Sequence, residues 1–273
     1  MAFDLSSYLE RIRLPALPSA DAAGLQAVQR AHRLAIPFEN LDVALGRPIR
    51  IDSGSVFAKL VGARRGGYCF EHDRLFADAL AAIGFAVRPL LARVWLGQTE
   101  TPPLTHTLSL VLIGETRWIA DAGFGGSYAP PMPLEHGAEA DAPDGARFRL
   151  LADDHGGWML ERRGDAATTD GRGGGDGWQR QYGFTLAPVF PADLLLSNHR
   201  TSTAPGTRFT THRIVSLVLP QGFASLTDRA YRRRNGDKES VASLDDPRQY
   251  RMRLSLMFGL DLSAEEVANL NLF

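Results

Sequence analysis

Cysteine is almost missing from this chain: 273 residues include a single one, Cys69. That excludes an internal disulfide framework and a cysteine-rich zinc site, and it suits a reducing, cytoplasmic setting. A surplus of charge is missing too. Lys and Arg number 30 against 31 Asp and Glu, for a formal net charge of −1. No global field therefore favours nucleic acid or an anionic membrane. No apolar run approaches the roughly 20 residues that span a bilayer. The opening "MAFDLSSYLERIRL" carries an early acid and no long apolar segment, so it does not read as a signal peptide. No internal repeat is visible. What is present is 44% hydrophobic and 22% charged residues, ordinary for a globular protein and long enough for two or three subdomains.

The first part, to about Phe85, reads as helical. Asp4 is placed to cap a helix bearing Leu5, Tyr8, Leu9 and Ile12. Ser19 is placed to cap a second, with Leu25, Val28, Ala31 and Leu34 at helical spacing. "IPFENLDVALGRPIRI" interrupts with prolines and a short extended piece. A third helix is expected over about Val56–Val61, and a fourth from Cys69 to Gly84, a C-terminal cap. The texture then changes to short apolar or alternating runs: "VRPLLARVWL", "THTLSLVLI", "RWIADAGF", "RFRLLA", "WMLERR" and "WQRQYGFTL". These suggest antiparallel strands closing into a barrel or sandwich. "GDAATTDGRGGGDG" (164–177) is a flexible hairpin tip by composition. From about Ala192 come strands at "RIVSLVLP" and "FASLTD", a helix near Asp245–Phe258 and a short one after Ser263. "RAYRRRNGDK" (229–238) reads first as a solvated basic turn and second as a contact for phosphates.

The lone thiol sits in "RRGGYCFEH". A cysteine alone is more often a small buried hydrophobe. Here it opens a helix, whose N-terminal end carries partial positive charge and free N–H groups that favour a thiolate. Gly66 and Gly67 would let the chain turn tightly into that helix. A nucleophilic thiol also needs a base within hydrogen-bond reach. Of seven histidines, His136 and His155 lie in polar loops. His72 is three residues after Cys69, on the same helix face, and is a rival unless it is simply a surface histidine. His106 enters an apolar strand and can point into a cleft, or serve structurally. Asp121 ends the strand in "RWIADAGFGG", either capping the turn or orienting the His106 ring. Cys69, His106 and Asp121 in that order fit a papain-like or transglutaminase-like thiol site.

"RGGYCFE", "THTLSLV", "WIADAGFGG" and "IPFENLDV" together resemble the arylamine N-acetyltransferases, and "NHRTSTAPGTRF" (198–209) is similar to a further segment of that family. The resemblance implies an α/β fold of the α+β type: a helical bundle with the nucleophile (1–85), a β-barrel with His and Asp (86–191) and an α/β lid (192–273). It places the site between the first two. It implies a Cys69–His106–Asp121 triad and acetyl-CoA as cosubstrate, with no metal and no bound prosthetic group. The acceptor would be a small aromatic amine or a hydrazine, handled by a monomer or homodimer. Phe124, with Phe38 of "IPFENLDV", is a candidate substrate-binding residue. Gly123, Gly125 and Gly126 are candidates for lining the cosubstrate's path. Arg65 and Glu71 flank the thiol as an ion pair or loop anchor. Two residues depart from the family pattern: Asp73 stands where asparagine is usual, and Ala204 where histidine is frequent.

Three other readings use the same residues. A cysteine hydrolase would cleave peptides or amides, an amide synthase of this fold would close an amide ring, and a non-catalytic domain would only bind an aromatic ligand. The family motifs and the filled triad positions disfavour the first and third. The acyl donor separates the second.

Overall fold

The structure, a computed structural model, describes residues 3–169, 172 and 175–273. Its first part is helical: α1 (Leu5–Arg11), α2 (Ala22–Ala35), α3 (Leu41–Ala44), α4 (Ser53–Phe57) and α5 (Cys69–Ile83). Asp4 caps α1, accepting from the Ser7 N–H at 2.7 Å. Asp21, not Ser19, caps α2; Ser19 instead donates its hydroxyl to the Asp21 carboxylate at 2.6 Å. The expected third helix is α4 followed by one π-helical stretch, Ala58–Gly62. Gly84 ends α5 in the left-handed region, φ 112°, as a glycine can without a Cβ clash. A two-residue strand, β1 (Phe38–Glu39), interrupts the helices.

Next come β2 (Ala86–Val94), β3 (Leu104–Ile113), β4 (Thr116–Ala120), β5 (Met132–Pro133), β6 (Glu139–Asp141), β7 (Arg147–Ala152), β8 (Gly157–Gly164) and β9 (Gly175–Thr185). They form one antiparallel sheet, ordered β5-β4-β3-β2-β9-β8-β7-β6. Its two edge strands, β5 and β6, are separated by residues 134–138 alone, so the sheet must curl back until its edges nearly meet. The result is a nearly closed barrel around Leu90, Leu108, Met132, Phe148, Leu160 and Tyr182. Part of the stretch 164–177, expected to be a flexible tip, is regular structure. Residues 170, 171, 173 and 174 lie outside the described residues, whereas Ala166–Thr168 form a 3₁₀ turn and Gly175 already belongs to β9.

The last part contains α6 (Pro191–Thr203), α7 (Arg208–Thr211), β10 (Ile214–Leu219), β11 (Gly222–Thr227), β12 (Ala230–Asn235), β13 (Lys238–Ser243), α8 (Pro247–Phe258) and α9 (Ala264–Asn269). Two readings change here. Helix α6 was not expected at all, although Pro191 at its first turn and Asp193 two residues later are helix-start signals. The basic stretch 229–238 is not a solvated turn but strand β12 and the bend into β13. Its turn is Gly236-Asp237, between the paired Asn235 and Lys238, with Gly236 at φ 59°, a hairpin signal that the run of arginines masked. Among its arginines, Arg229 meets Asp245 at 3.1 Å and Arg234 meets Asp165 at 2.9 Å.

One long-range pairing matters most. β1 joins the edge of the C-terminal sheet, with Phe38 opposite Ser216 and Glu39 opposite Val215. The N-terminal helices are thereby stitched to the last part of the chain. Among the described residues, no helix is long and apolar enough to cross a membrane.

Candidate active site

Cys69 is the first residue of α5 and is 3% exposed. Tyr68 is the N-cap, and its N–H donates to the Glu71 carboxylate at 3.1 Å, tightening the first turn beneath the thiol. The two glycines ahead of it allow close packing rather than a left-handed turn. A Cβ on Gly66 would lie 2.2 Å from the Pro37 carbonyl, and one on Gly67 would meet the Glu71 side chain at 2.8 Å. The positive φ in this loop falls on Arg64, at 53°. Arg65 and Glu71 do not pair with each other. Arg65 meets Glu39 at 2.7 Å and Asp42 at 3.3 Å, while Lys59 joins Asp42 and Glu71, each at 2.7 Å. The five side chains form one ion network under the loop.

His106 comes from β3 and reaches the thiol because the strand is bulged there. Ala92 of β2 pairs with His106, but Arg93 pairs with Leu104, leaving Thr105 as the extra residue. A bulge bends the strand and re-aims its neighbours. The Cys69 sulfur lies 3.7 Å from the Thr105 carbonyl, and Cys69 and the His106 ring line one cleft. His106 Nε2 is 2.8 Å from Asp121 Oδ2, so Nδ1 is the nitrogen left for the sulfur. Burial alone would favour the neutral ring, but the Asp121 charge and hydrogen bond, reinforced by Cys69, outweigh it and push the pKa up to about 10.

Asp121 follows β4 and does both things expected of it as alternatives. Oδ1 accepts from the N–H groups of Gly123 at 2.9 Å and Phe124 at 2.8 Å, capping the turn. Oδ2 holds His106. Burial pushes its pKa up, yet the His106 charge and hydrogen bond and the nearby Arg33 guanidinium leave it below the ordinary range. Sequence reasoning missed two supports of this turn. Gln29 of α2 accepts the Asp121 N–H at 2.8 Å, and the buried Arg33 donates to the Gly126 carbonyl at 2.9 Å. Helical spacing placed both on α2 but gave no sign that a polar pair faced inward.

His72 is not a surface histidine; it is fully buried. Its Nε2 is 3.1 Å from the Pro37 carbonyl and its Nδ1 is 2.8 Å from His32 Nε2, while His32 Nδ1 faces the Tyr8 hydroxyl at 2.9 Å. A carbonyl only accepts, so His72 must carry its proton on Nε2. His32 then donates to His72, and Tyr8 donates to His32. Each ring's one lone pair is used. Burial above all, then the Arg33 charge, holds His72 down to about 3. The ring has nothing left with which to take a proton from the thiol.

A cleft of about 230 Å³ opens over Cys69 and His106. Phe38 and Phe124 both line it. Phe124 packs edge-on against His106, ring centroids 5.2 Å apart, and equally against Tyr182. Phe38 stacks on His72 at 6.2 Å. The glycine turn makes room for protein atoms: a Cβ on Gly123 would meet the Cys69 carbonyl at 2.8 Å, and one on Gly125 the Phe38 ring at 2.8 Å. Gly126 is crowded only by the Phe124 ring, 3.1 Å away, and does not line the cleft. The cleft is not confined to the first two parts of the chain. Thr201 of α6, Phe209 of α7 and Ile214 of β10 form its third wall.

Comparison with known proteins follows the same lines. A family model described as N-acetyltransferase matches residues 21–267. The arylamine N-acetyltransferase / N-hydroxyarylamine O-acetyltransferase of Salmonella typhimurium is 36% identical over 264 residues, covering 95% of this chain and 89% of that protein. The solved arylamine N-acetyltransferase from Salmonella typhimurium superposes with a TM-score of 0.90 at 32% identity, covering both chains fully. That of Mycobacterium marinum, solved in complex with CoA, gives 0.86 at 28% identity over 98% of each chain.

Proposed function

Because this chain belongs to the arylamine N-acetyltransferase family, we propose that it moves an acetyl group from acetyl-CoA, by way of the Cys69 thiol, to the nitrogen of arylamines, arylhydrazines or hydrazines. The observation that carries the proposal is one juxtaposition: a thiol at a helix start that shares a cleft with an imidazole whose far nitrogen is held 2.8 Å from a buried carboxylate. The CoA complex of the Mycobacterium marinum relative supports the choice of donor.

In this reading His106 takes the Cys69 proton, and the thiolate attacks the acetyl carbonyl. A carbon–sulfur bond forms to Cys69, and the bond to the coenzyme sulfur breaks. The proton held on His106 goes to the departing coenzyme thiolate. An amine then attacks the acetyl-enzyme. Its excess proton passes to His106, the Cys69–carbon bond breaks, and thiolate and imidazolium are restored. Asp121 fixes the ring and offsets its charge. Both steps develop an oxyanion, for which the Cys69 backbone N–H is the donor we assign. Phe124 and Phe38 offer apolar faces to an aromatic acceptor. Segments 1–85, 86–191 and 192–273 act as nucleophile bundle, base-bearing barrel and cover.

Incubation with acetyl-CoA and no amine tests this. Mass spectrometry should find one added acetyl group, on the peptide containing Cys69, and none on Cys69→Ala. An acetylated Cys69→Ala protein with normal turnover would end the reading.

A further inference from the structure

Asp73 stands one helical turn after Cys69 on α5, facing β3, and is 3% exposed. Two hydroxyls of β3 meet its carboxyl: Ser109 Oγ at 3.0 Å from Oδ1, and Thr107 Oγ1 at 3.2 Å from Oδ2. Thr107 Oγ1 is also 2.9 Å from the Leu90 carbonyl of β2. A hydroxyl carries one hydrogen. The Leu90 carbonyl can only accept, and it is the nearer partner, so the Thr107 proton belongs there. The contact between Thr107 and Asp73 then needs a hydrogen from the other side.

We propose that Asp73 is a neutral carboxylic acid in the folded protein, and that its proton, donated to Thr107, ties the helix carrying Cys69 to the strand carrying His106. The hydrogen bonds then run in one direction: Ser109 to Asp73, Asp73 to Thr107, Thr107 to Leu90. A carboxamide has the same pattern of one acceptor and one donor, so asparagine would fill the place equally. An ionised Asp73 would force Thr107 to turn away from Leu90. It would also set a second negative charge beside the His106–Asp121 pair.

The surrounding charges favour the neutral form. On β3 the facing titratable group is His106. Beyond β4 it is Asp121, and on β9 it is Tyr182. β2 presents Pro89 and the Leu90 carbonyl. Asp52, the N-cap of α4, and Arg74 of α5 share with Asp73 a separate cavity of about 420 Å³, bounded by Pro89 and by Leu194 of α6. Burial first, then the Asp121 carboxylate, push Asp73 up to about 7 against the Ser109 and Thr107 hydrogen bonds and the His106 charge. Asp121 is driven the opposite way. Two carboxyls near one imidazole are thus separated into an anion that pairs with it and an acid that positions it. The cavity gives solvent protons a route to Asp73 that bypasses the thiol.

The positioning role rests on the proposed Cys69–His106 chemistry; the protonation state does not, and it is tested without acetyl transfer. Asp73→Asn and wild-type protein are melted from about pH 4 to about pH 9. A folded pKa raised above the unfolded value of roughly 3.9 means that the native state holds the extra proton, so wild type loses stability as pH rises through that interval. The asparagine variant should gain on wild type between about pH 4 and about pH 7, ending several degrees higher, with a level difference beyond. A pH-independent difference overturns the proposal. So does a ¹³C carboxyl resonance, absent from Asp73→Asn, that is already a carboxylate at about pH 6; a resonance titrating near 7 supports it. For positioning, the rate of Cys69 alkylation by iodoacetamide should inflect near pH 7 in wild type and not in Asp73→Asn. Identical profiles refute that part. Failure of the acetyl-adduct experiment would leave the melting and resonance readouts standing.

Discussion

His72 and His106 lie near the same thiol, and only their hydrogen bonds separate their roles. His106→Gln should abolish rapid alkylation of Cys69 by iodoacetamide at neutral pH, because among the described residues no other histidine lines the cleft. His72→Gln should leave alkylation rates within a few-fold and lower stability, since it breaks the Tyr8–His32–His72–Pro37 chain. A denaturant titration beside an alkylation time course distinguishes the two. Asp121→Asn is sharper. Its amide oxygen can stay under the Gly123 and Phe124 N–H groups, leaving its NH₂ facing His106 Nε2. That nitrogen must then accept, and the ring proton moves to the side facing the thiol. The base is present in the wrong tautomer, and acetyl transfer should fall about 10⁴-fold while the fold persists. pH supplies a further check. The His106 pKa is raised to about 10, so the stability this ring gains from Asp121 is complete below its unfolded value of roughly 6.5 and is lost as pH rises through about 10. The stability difference between wild type and His106→Gln should shrink across that interval in urea titrations.

At the scale of elements, the glycine turn after β4 holds the nucleophile and the cleft in register. Gly123→Ala sets a Cβ 2.8 Å from the Cys69 carbonyl and 2.9 Å from its Cα. Backbone cannot step aside, so the turn must shift, and a displacement near 1 Å costs about 10²-fold. Both half-reactions should slow by that order in stopped-flow measurements. Gly125→Ala meets only the Phe38 ring, 2.8 Å away. A side chain can yield, so acetylation by acetyl-CoA should persist while transfer to an arylamine weakens. Legibility in the sequence divides at this scale. Strands β3 and β7 were readable because alternation and turn residues mark them locally, and α5 because Cys69 and Gly84 bracket it. The Thr105 bulge was not readable, since nothing in "LTHTLS" marks an unpaired residue. Gln29 and Arg33 were not, because a buried polar face on an amphipathic helix looks like a solvated one. β1 is the short extended piece expected after Ile36, but its pairing with β10 was not readable, and β5 is two residues long with no local pattern to record it.

Across the whole molecule, charge joins what the strands stitch. Asp42 sits among Lys59 at 2.7 Å, Arg47 at 3.2 Å and Arg65 at 3.3 Å, and Arg47 reaches on to Glu266 of α9 at 2.7 Å. The Asp42 and Lys59 side chains are 12% and 18% exposed, so removing the anion leaves half-buried cations without their shared partner. Asp42→Asn should destabilise the protein by about 3 kcal/mol, read from urea midpoints. Arg47→Ala, at a side chain 45% exposed, should cost under about 1 kcal/mol.

The pairing of Phe38 and Glu39 with Ser216 and Val215 also sets a schedule. A ribosome releases Cys69 long before it releases the strand that completes the cleft. At about 5–20 residues per second, the gap between Cys69 and Ser216 lasts roughly 7–30 seconds. For that interval β1 lacks its strand partner β10, the third wall does not exist, and the chain's single thiol meets whatever electrophile or oxidant is near. Nascent chains stalled before Ile214 should therefore be alkylated at Cys69 by bulky maleimides that the finished cleft turns away. The closure that shapes the substrate's entrance is thus also a late event in the protein's own making.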